Sequence, residues 1–252
     1  MAVRLKSVLA MIAAAALIGI TPARADEIKV MAVNALKEPL AELAAGFEKS
    51  SGHKVIFLWG GTEALTKRVA AGEAADIVVI AAPNIDRLIA EGKLAAGSRA
   101  DIAKSGVGVA VRSGLPKPDV SSAEAVKRAV LEAKSVAYST GPSGFYLAEL
   151  FNRMGVSEQI KDKVKQPPSG AQVGELLARG EADLGFQQVS ELMHVKGIDY
   201  LGPLPPEIQH TTVYSAGVHG AVPPSEAAKA LVKALTSPAA APALRKVGME
   251  PG

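Results

Sequence analysis

The chain has 252 residues, with 28 Lys and Arg against 25 Asp and Glu, and it contains no cysteine. Structural disulfides, thiolate metal sites and a cysteine nucleophile are therefore excluded. The net charge of +3 resides in the first 25 residues, which hold Arg4, Lys6 and Arg24 and no acidic residue; the rest is balanced and offers no basic surface to nucleic acid.

Those first residues read as a secretory signal. Arg4 and Lys6 precede an apolar run over 8–20, Pro22 breaks the run, and Ala23-Arg24-Ala25 forms an A-x-A cleavage site. Cleavage after Ala25 predicts a mature chain that starts at Asp26 in the periplasm. The run of about thirteen residues is short of the roughly 20 needed to span a bilayer. No later stretch reaches that length, so no membrane span is expected after cleavage. The remaining chain, roughly 230 residues, suffices for one large or two small domains.

Strand and helix patterns then alternate. Residues 27–33 (EIKVMAV) predict a strand, 39–50 a helix with Leu40, Leu43 and Phe47 on one face, and 53–59 (HKVIFLW) a second strand. Gly60-Gly61 ends that strand, and Thr62 is placed to cap a helix to residue 71. Residues 76–81 (DIVVIA) form a continuous apolar strand of the doubly buried kind, and a helix over 84–91 stops at Gly92. This order favours parallel sheets covered by helices. Residues 106–111 (GVGVAV) predict a strand crossing between domains. Ser121-Ser122-Ala123-Glu124 is a capping box that opens a helix to residue 133.

A second set follows. It comprises a strand over 135–139, a loop over 140–144, a helix over 145–154 and, after a Pro-rich linker, a helix over 170–179. A strand over 183–187 and a short helix over 189–194 come next. Pro203, Pro205 and Pro206 mark a loop. A strand over 211–218 leads back, and helices over 225–236 and 239–247 close the chain.

Two loops carry chemistry. Gly60-Gly61-Thr62 and Thr140-Gly141-Pro142-Ser143-Gly144 each join a strand to a helix. A helix start leaves N–H groups free and carries positive partial charge. Small residues let an anion reach it, and Thr or Ser adds a hydroxyl donor. Plain capping explains the same residue types. No Walker sequence occurs. No histidine pair has the spacing of a zinc helix, and neither a metal nor a cofactor is expected. His53 and His219 read as surface or turn residues, and His194 suits a helix C-terminus. His210, just before the returning strand, has the ionisation range of a general base. A loop-surface role accounts for it more simply.

From residues 27 to 251 the chain resembles the periplasmic molybdate-binding proteins of ABC importers, within the type II solute-binding class. The segments that carry the resemblance are KVMAVNALKEPLAEL, GGTEALTKRVAAGEAADIVVIAAP, GVGVAVRSGLPKPD, YSTGPSGFYLAELFNRMGV and ARGEADLGFQQVSEL. It implies an α/β protein of two lobes, each a mainly parallel sheet flanked by helices, with a ligand cleft between them. The implied lobes are 26–104 with 213–252, and 105–212. It also implies a monomer whose cleft is lined by Asn34, Ala35, Thr62, Glu63, Ser143, Gly144, Ala171 and Gln188.

The chain departs from the molybdate pattern at several of these. Ala35 stands for a serine, and Gly61, Thr62 and Glu63 stand for a serine-rich helix start. Gln188 stands for a tyrosine donor, and Ser143 holds a position that donates through its backbone. Lost hydroxyls and an added carboxylate argue against a dry oxyanion site. Lys37, Lys67 or Arg68, near the same loops, would suit an organic carboxylate. The expectation is therefore capture of a small oxyanion or di- or tricarboxylate for an ABC permease. The alternative is a tricarboxylate isomerase of the aconitate isomerase kind, which resembles this family, with Glu63 or His210 moving the proton. A third possibility is presentation of the ligand to a sensor.

Overall fold

The computed structural model describes residues 25–220 and 225–252, so the segment read as a signal peptide lies outside the described residues up to position 24. Three parallel strands open the first lobe: β1 (Glu27–Val33), β2 (Lys54–Gly60) and β3 (Ile77–Ala81), in the spatial order β2-β1-β3. Helices α1 (Lys37–Ser51), α2 (Thr62–Ala70) and α3 (Ala82–Ala90) follow them in turn. All five residues of β3 are buried, as a central parallel strand covered on both faces requires.

β4 (Ala100–Arg112) is 13 residues long and starts well before the strand read from sequence. Beyond it come α4 (Ala123–Glu132), β5 (Val136–Tyr138), α5 (Pro142–Arg153), α6 (Ser157–Ile160), β6 (Val164–Lys165) and α7 (Val173–Ala178). The chain continues through β7 (Leu184–Gln188), α8 (Val189–Leu192), β8 (Ile198–Pro203) and β9 (Thr211–Val218). It ends with α9 (Glu226–Leu235), α10 (Ala241–Lys246) and β10 (Glu250–Pro251). Helix starts follow sequence logic where a cap is present. Ser122 Oγ accepts from the Ala125 N–H at 3.2 Å and Ser225 Oγ from the Ala228 N–H at 3.1 Å.

One curled sheet runs through both lobes in the order β2-β1-β3-β9-β4-β7-β5-β6, with β8 and β10 also pairing with β4. The outer strands are parallel, as expected. The central β4 and β9 are antiparallel to their neighbours, because one strand carries the chain out of the first lobe and the other brings it back. β4 pairs with β9 from Ala100 to Gly106 and with β7 from Val107 to Val111. The apolar cores divide at the same place. One core draws on residues 28–103 and 214–249, including Leu36, Leu65 and Leu231. Two more lie within 107–208: in one, Phe151 stands edge-on to both Tyr138 and Phe186 with ring centroids 5.7 Å apart, and the smaller other gathers Val173, Leu177 and Leu192.

Candidate ligand cleft

The carboxyl ends of β1, β2, β5 and β7 face one cavity between the lobes, which is where open α/β sheets hold ligands. Its volume is about 40 Å³. At roughly 10–15 Å³ for each water, it takes one group the size of a carboxylate or a tetrahedral oxyanion.

On the first lobe the key residue is Thr62. Gly61, in extended conformation, is the N-cap of α2, and no side chain caps that helix. Thr62 is thus the first helical residue rather than the cap. It is 2% exposed, lines the cavity, and its Oγ1 has no hydrogen-bond partner. On the second lobe α5 begins at Pro142, a position where proline's missing N–H costs nothing. Ser143, 1% exposed, stands with its Oγ 3.1 Å from Ser139 Oγ, and the Gly141 N–H donates to Ser139 Oγ at 3.4 Å. Two helix starts and three hydroxyls therefore meet across the cavity.

The lobes touch at its mouth. Asn34 Nδ2 donates to the Gly170 carbonyl at 2.6 Å. Gly61 lies so close to the opposite loop that a Cβ there would stand 2.7 Å from Ser169 Oγ and 2.8 Å from the Gly170 nitrogen.

Among the described residues no Lys, Arg or His lines this cavity; its ionisable groups are Glu191 and Tyr214. Desolvation pushes the Glu191 carboxyl up to about 7, and a side-chain hydrogen bond from Gln187 opposes that rise. Gln187 is itself fixed, because its Oε1 accepts from the Val173 N–H at 2.7 Å. Burial, followed by the nearby charge of Glu191, drives the Tyr214 phenol well above its usual range.

A second cavity of about 440 Å³ adjoins the first, with Asn34, Ala35 and Glu191 common to both. Lys37, Glu38 and His194 line it, as does Ser190, whose buried Oγ has no partner.

Asn34, Ala35, Thr62, Ser143, Ala171 and Gln188 lie along the main cavity, and Lys37 lies along the second. The others stand elsewhere. Gly144 sits behind the lining, packed so tightly that a Cβ would fall 1.6 Å from the Ser139 carbonyl oxygen. It lets the strand end and the helix start approach each other. Glu63 faces α3, where Asn84 Nδ2 donates to its Oε1 at 3.2 Å. Lys67 is exposed, and Arg68 donates through Nε to Glu73 at 2.6 Å. His210 stacks on Tyr146 with centroids 4.6 Å apart; burial lowers its imidazole, and Glu149 opposes that shift. Glu63 is thus held by α3 of its own lobe and His210 by Tyr146 of α5, and neither lines the cavity.

Gln188 borders the cavity, but its amide is engaged at the lobe crossing. It meets Thr212 Oγ1 at 2.9 Å and, with its nitrogen turned to β4, donates to Ser105 Oγ at 3.0 Å. The residues that sequence reading did not single out are Ser139, Ser169, Gly170, Gln187, Glu191 and Tyr214. A Gln and a Glu four apart across a strand-to-helix turn were the available signal for the Gln187–Glu191 pair. Among the described residues no helix is long and apolar enough to cross a membrane, and no acidic or histidine cluster is grouped to hold a metal.

The family model described as bacterial extracellular solute-binding protein matches residues 28–250. A Pseudomonas protein named aconitate isomerase is 39% identical over 230 residues, covering 89% of this chain and 87% of its own. The molybdate-binding protein of Azotobacter vinelandii is 30% identical over 173 residues, 68% of each chain. The solved structure of the Azotobacter vinelandii periplasmic molybdate-binding protein has a TM-score of 0.75 at 19% identity. That match covers 88% of this chain and 98% of the other, a likeness of fold.

Proposed function

Because the chain belongs to the bacterial extracellular solute-binding protein family, we propose that it captures a small carboxylate-bearing anion between its lobes. The observation that carries this reading is the buried, unpartnered Thr62 hydroxyl at the start of α2, across the cavity from Ser143 at the start of α5. Such a site holds an anion by neutral donors and helix dipoles rather than by counter-charge. Ligand bound to both lobes favours their closed arrangement, the form that a partner can read. The partner in this reading is an ABC permease or, alternatively, a sensor. The protein works as a monomer in the periplasm after cleavage behind Ala25.

Titration calorimetry with molybdate, sulfate, citrate and trans-aconitate tests the reading. We expect heat of binding from at least one carboxylate, and silence across the panel overturns capture of an anion.

A second reading is favoured by the 39% identical relative named aconitate isomerase and by the carboxyl of Glu191 in the cavity. In it the bound tricarboxylate is isomerised by a proton shift. Incubation with trans-aconitate, followed by chromatography for the cis isomer, decides between capture alone and conversion.

A further inference from the structure

Anion capture makes no use of Glu191, and an ionised carboxylate at that position opposes it. The position of the residue suggests a task. Glu191 stands where the two cavities meet, with the hydroxyl-lined cavity of about 40 Å³ on one side and the larger one, bordered by Lys37 and His194, on the other. The small cavity has room for one anionic group. A molecule with carboxylates at both ends of a short carbon chain would extend into the larger cavity toward Lys37, laying its middle carbons at the junction.

We propose that Glu191 is the catalytic base of an allylic proton shift in a small unsaturated polycarboxylate; the proposal rests on the isomerising reading. The Glu191 carboxylate takes one proton from the methylene carbon beside the double bond. The C–H electron pair joins the three-carbon allyl unit, and the negative charge spreads onto the adjoining carboxylate. Glu191, now a carboxylic acid, returns one proton to the carbon at the far end of that unit, and the double bond moves by one position. One proton leaves and one arrives, so no oxidant, reductant or co-reactant is consumed. Thr62 Oγ1 and the free N–H groups of α2 are placed to take up charge developing on the carboxylate in the small cavity.

The groups that face Glu191 fit the assignment. Gln187 donates to its carboxylate and orients it. Tyr214, on β9, keeps its proton because burial raises the phenol far above neutrality. His194 is exposed and turned toward the Lys246 carbonyl at 3.3 Å, while Lys37 and Glu38 lie on α1 across the larger cavity. A carboxyl that titrates near neutrality supplies both base and conjugate acid at working pH.

The test compares the wild type with Glu191→Gln, using trans-aconitate as the probe. Turnover is expected to fall at least ~100-fold, the usual contribution of a general base. Binding by calorimetry should be as tight or tighter, because a repulsive charge is gone. In D2O the wild type should wash deuterium into the substrate's methylene group, and the variant should not. Should Glu191→Gln lose binding, Glu191→Asp withdraws the carboxyl by one methylene, and its turnover is expected to drop at least ~10-fold with the ligand still bound. Turnover in either binding-competent variant within about threefold of wild type overturns the role of Glu191 and leaves the isomerising reading intact. A wild type that binds trans-aconitate without converting it overturns both and leaves capture standing.

Discussion

A threonine at a helix start ordinarily turns its hydroxyl onto the helix's own N–H groups. Thr62 lies one residue inside the helix and lines the cavity, and its Oγ1 is buried with no partner. A buried hydroxyl without a hydrogen bond costs about 1–3 kcal/mol, and a ligand recovers that cost. Thr62→Val keeps the shape and removes the cost: the ligand-free melting temperature should hold or rise, while affinity falls about tenfold, or ~1.4 kcal/mol. Melts and calorimetry on one preparation check both.

Glu191 contributes a pH dependence of its own. Its folded carboxyl titrates near 7 and its unfolded one near 4.5, so the folded state holds the proton more tightly. The contribution of this group to stability should be fully present below about pH 4.5, decline as pH rises toward 7, and be lost to the extent of about 3 kcal/mol in all. Denaturant unfolding of wild type and Glu191→Gln across pH 4–8 reads this directly: the difference between the two should widen with pH. Sequence placed Thr62 at the right loop and gave it the wrong local job. It gave no hint that Glu191 would turn inward, because the direction of a side chain after a strand depends on what packs behind it.

At the scale of elements, the sequence was most legible where one period governed a whole segment. The strand of β1, the apolar run of β3 and the serine cap of α9 stand as their residues suggested, whereas α4 is capped by Ser122 on the Ala125 N–H and not by the Ser121–Glu124 box. It was least legible where proline was read as a breaker. β8 runs up to Pro203, and α5 starts at Pro142, three residues before the expected start, because proline suits a strand end and a first helical turn alike. That shift sets Ser143 inside the helix start and Gly144 against Ser139. Gly144→Ala drives a Cβ into the Ser139 carbonyl, so the junction of β5 and α5 must open. We expect a loss of about 3 kcal/mol in urea unfolding, the upper range for overpacking.

For the whole molecule, alternating strands and helices announced parallel sheets covered by helices, the two lobes were what the family resemblance implied, and the cores divide near residues 104 and 213. Chain order could not announce which loops meet across the gap, since contacts such as Asn34 with Gly170 join residues 136 apart. That contact is a latch. Asn34→Ala should enlarge the ligand-free radius of gyration in small-angle scattering and weaken ligand binding about tenfold, while the melting temperature changes little.

The strand that both lobes share has a consequence of another kind. β4 gives one half of its length to β9 and the other half to β7, so each lobe's sheet loses a strand without it. Neither lobe can melt and leave the other whole, since losing one frays the strand that anchors the second. The molecule is two-lobed for capture yet a single cooperative unit for unfolding, and damage to either lobe becomes damage to both.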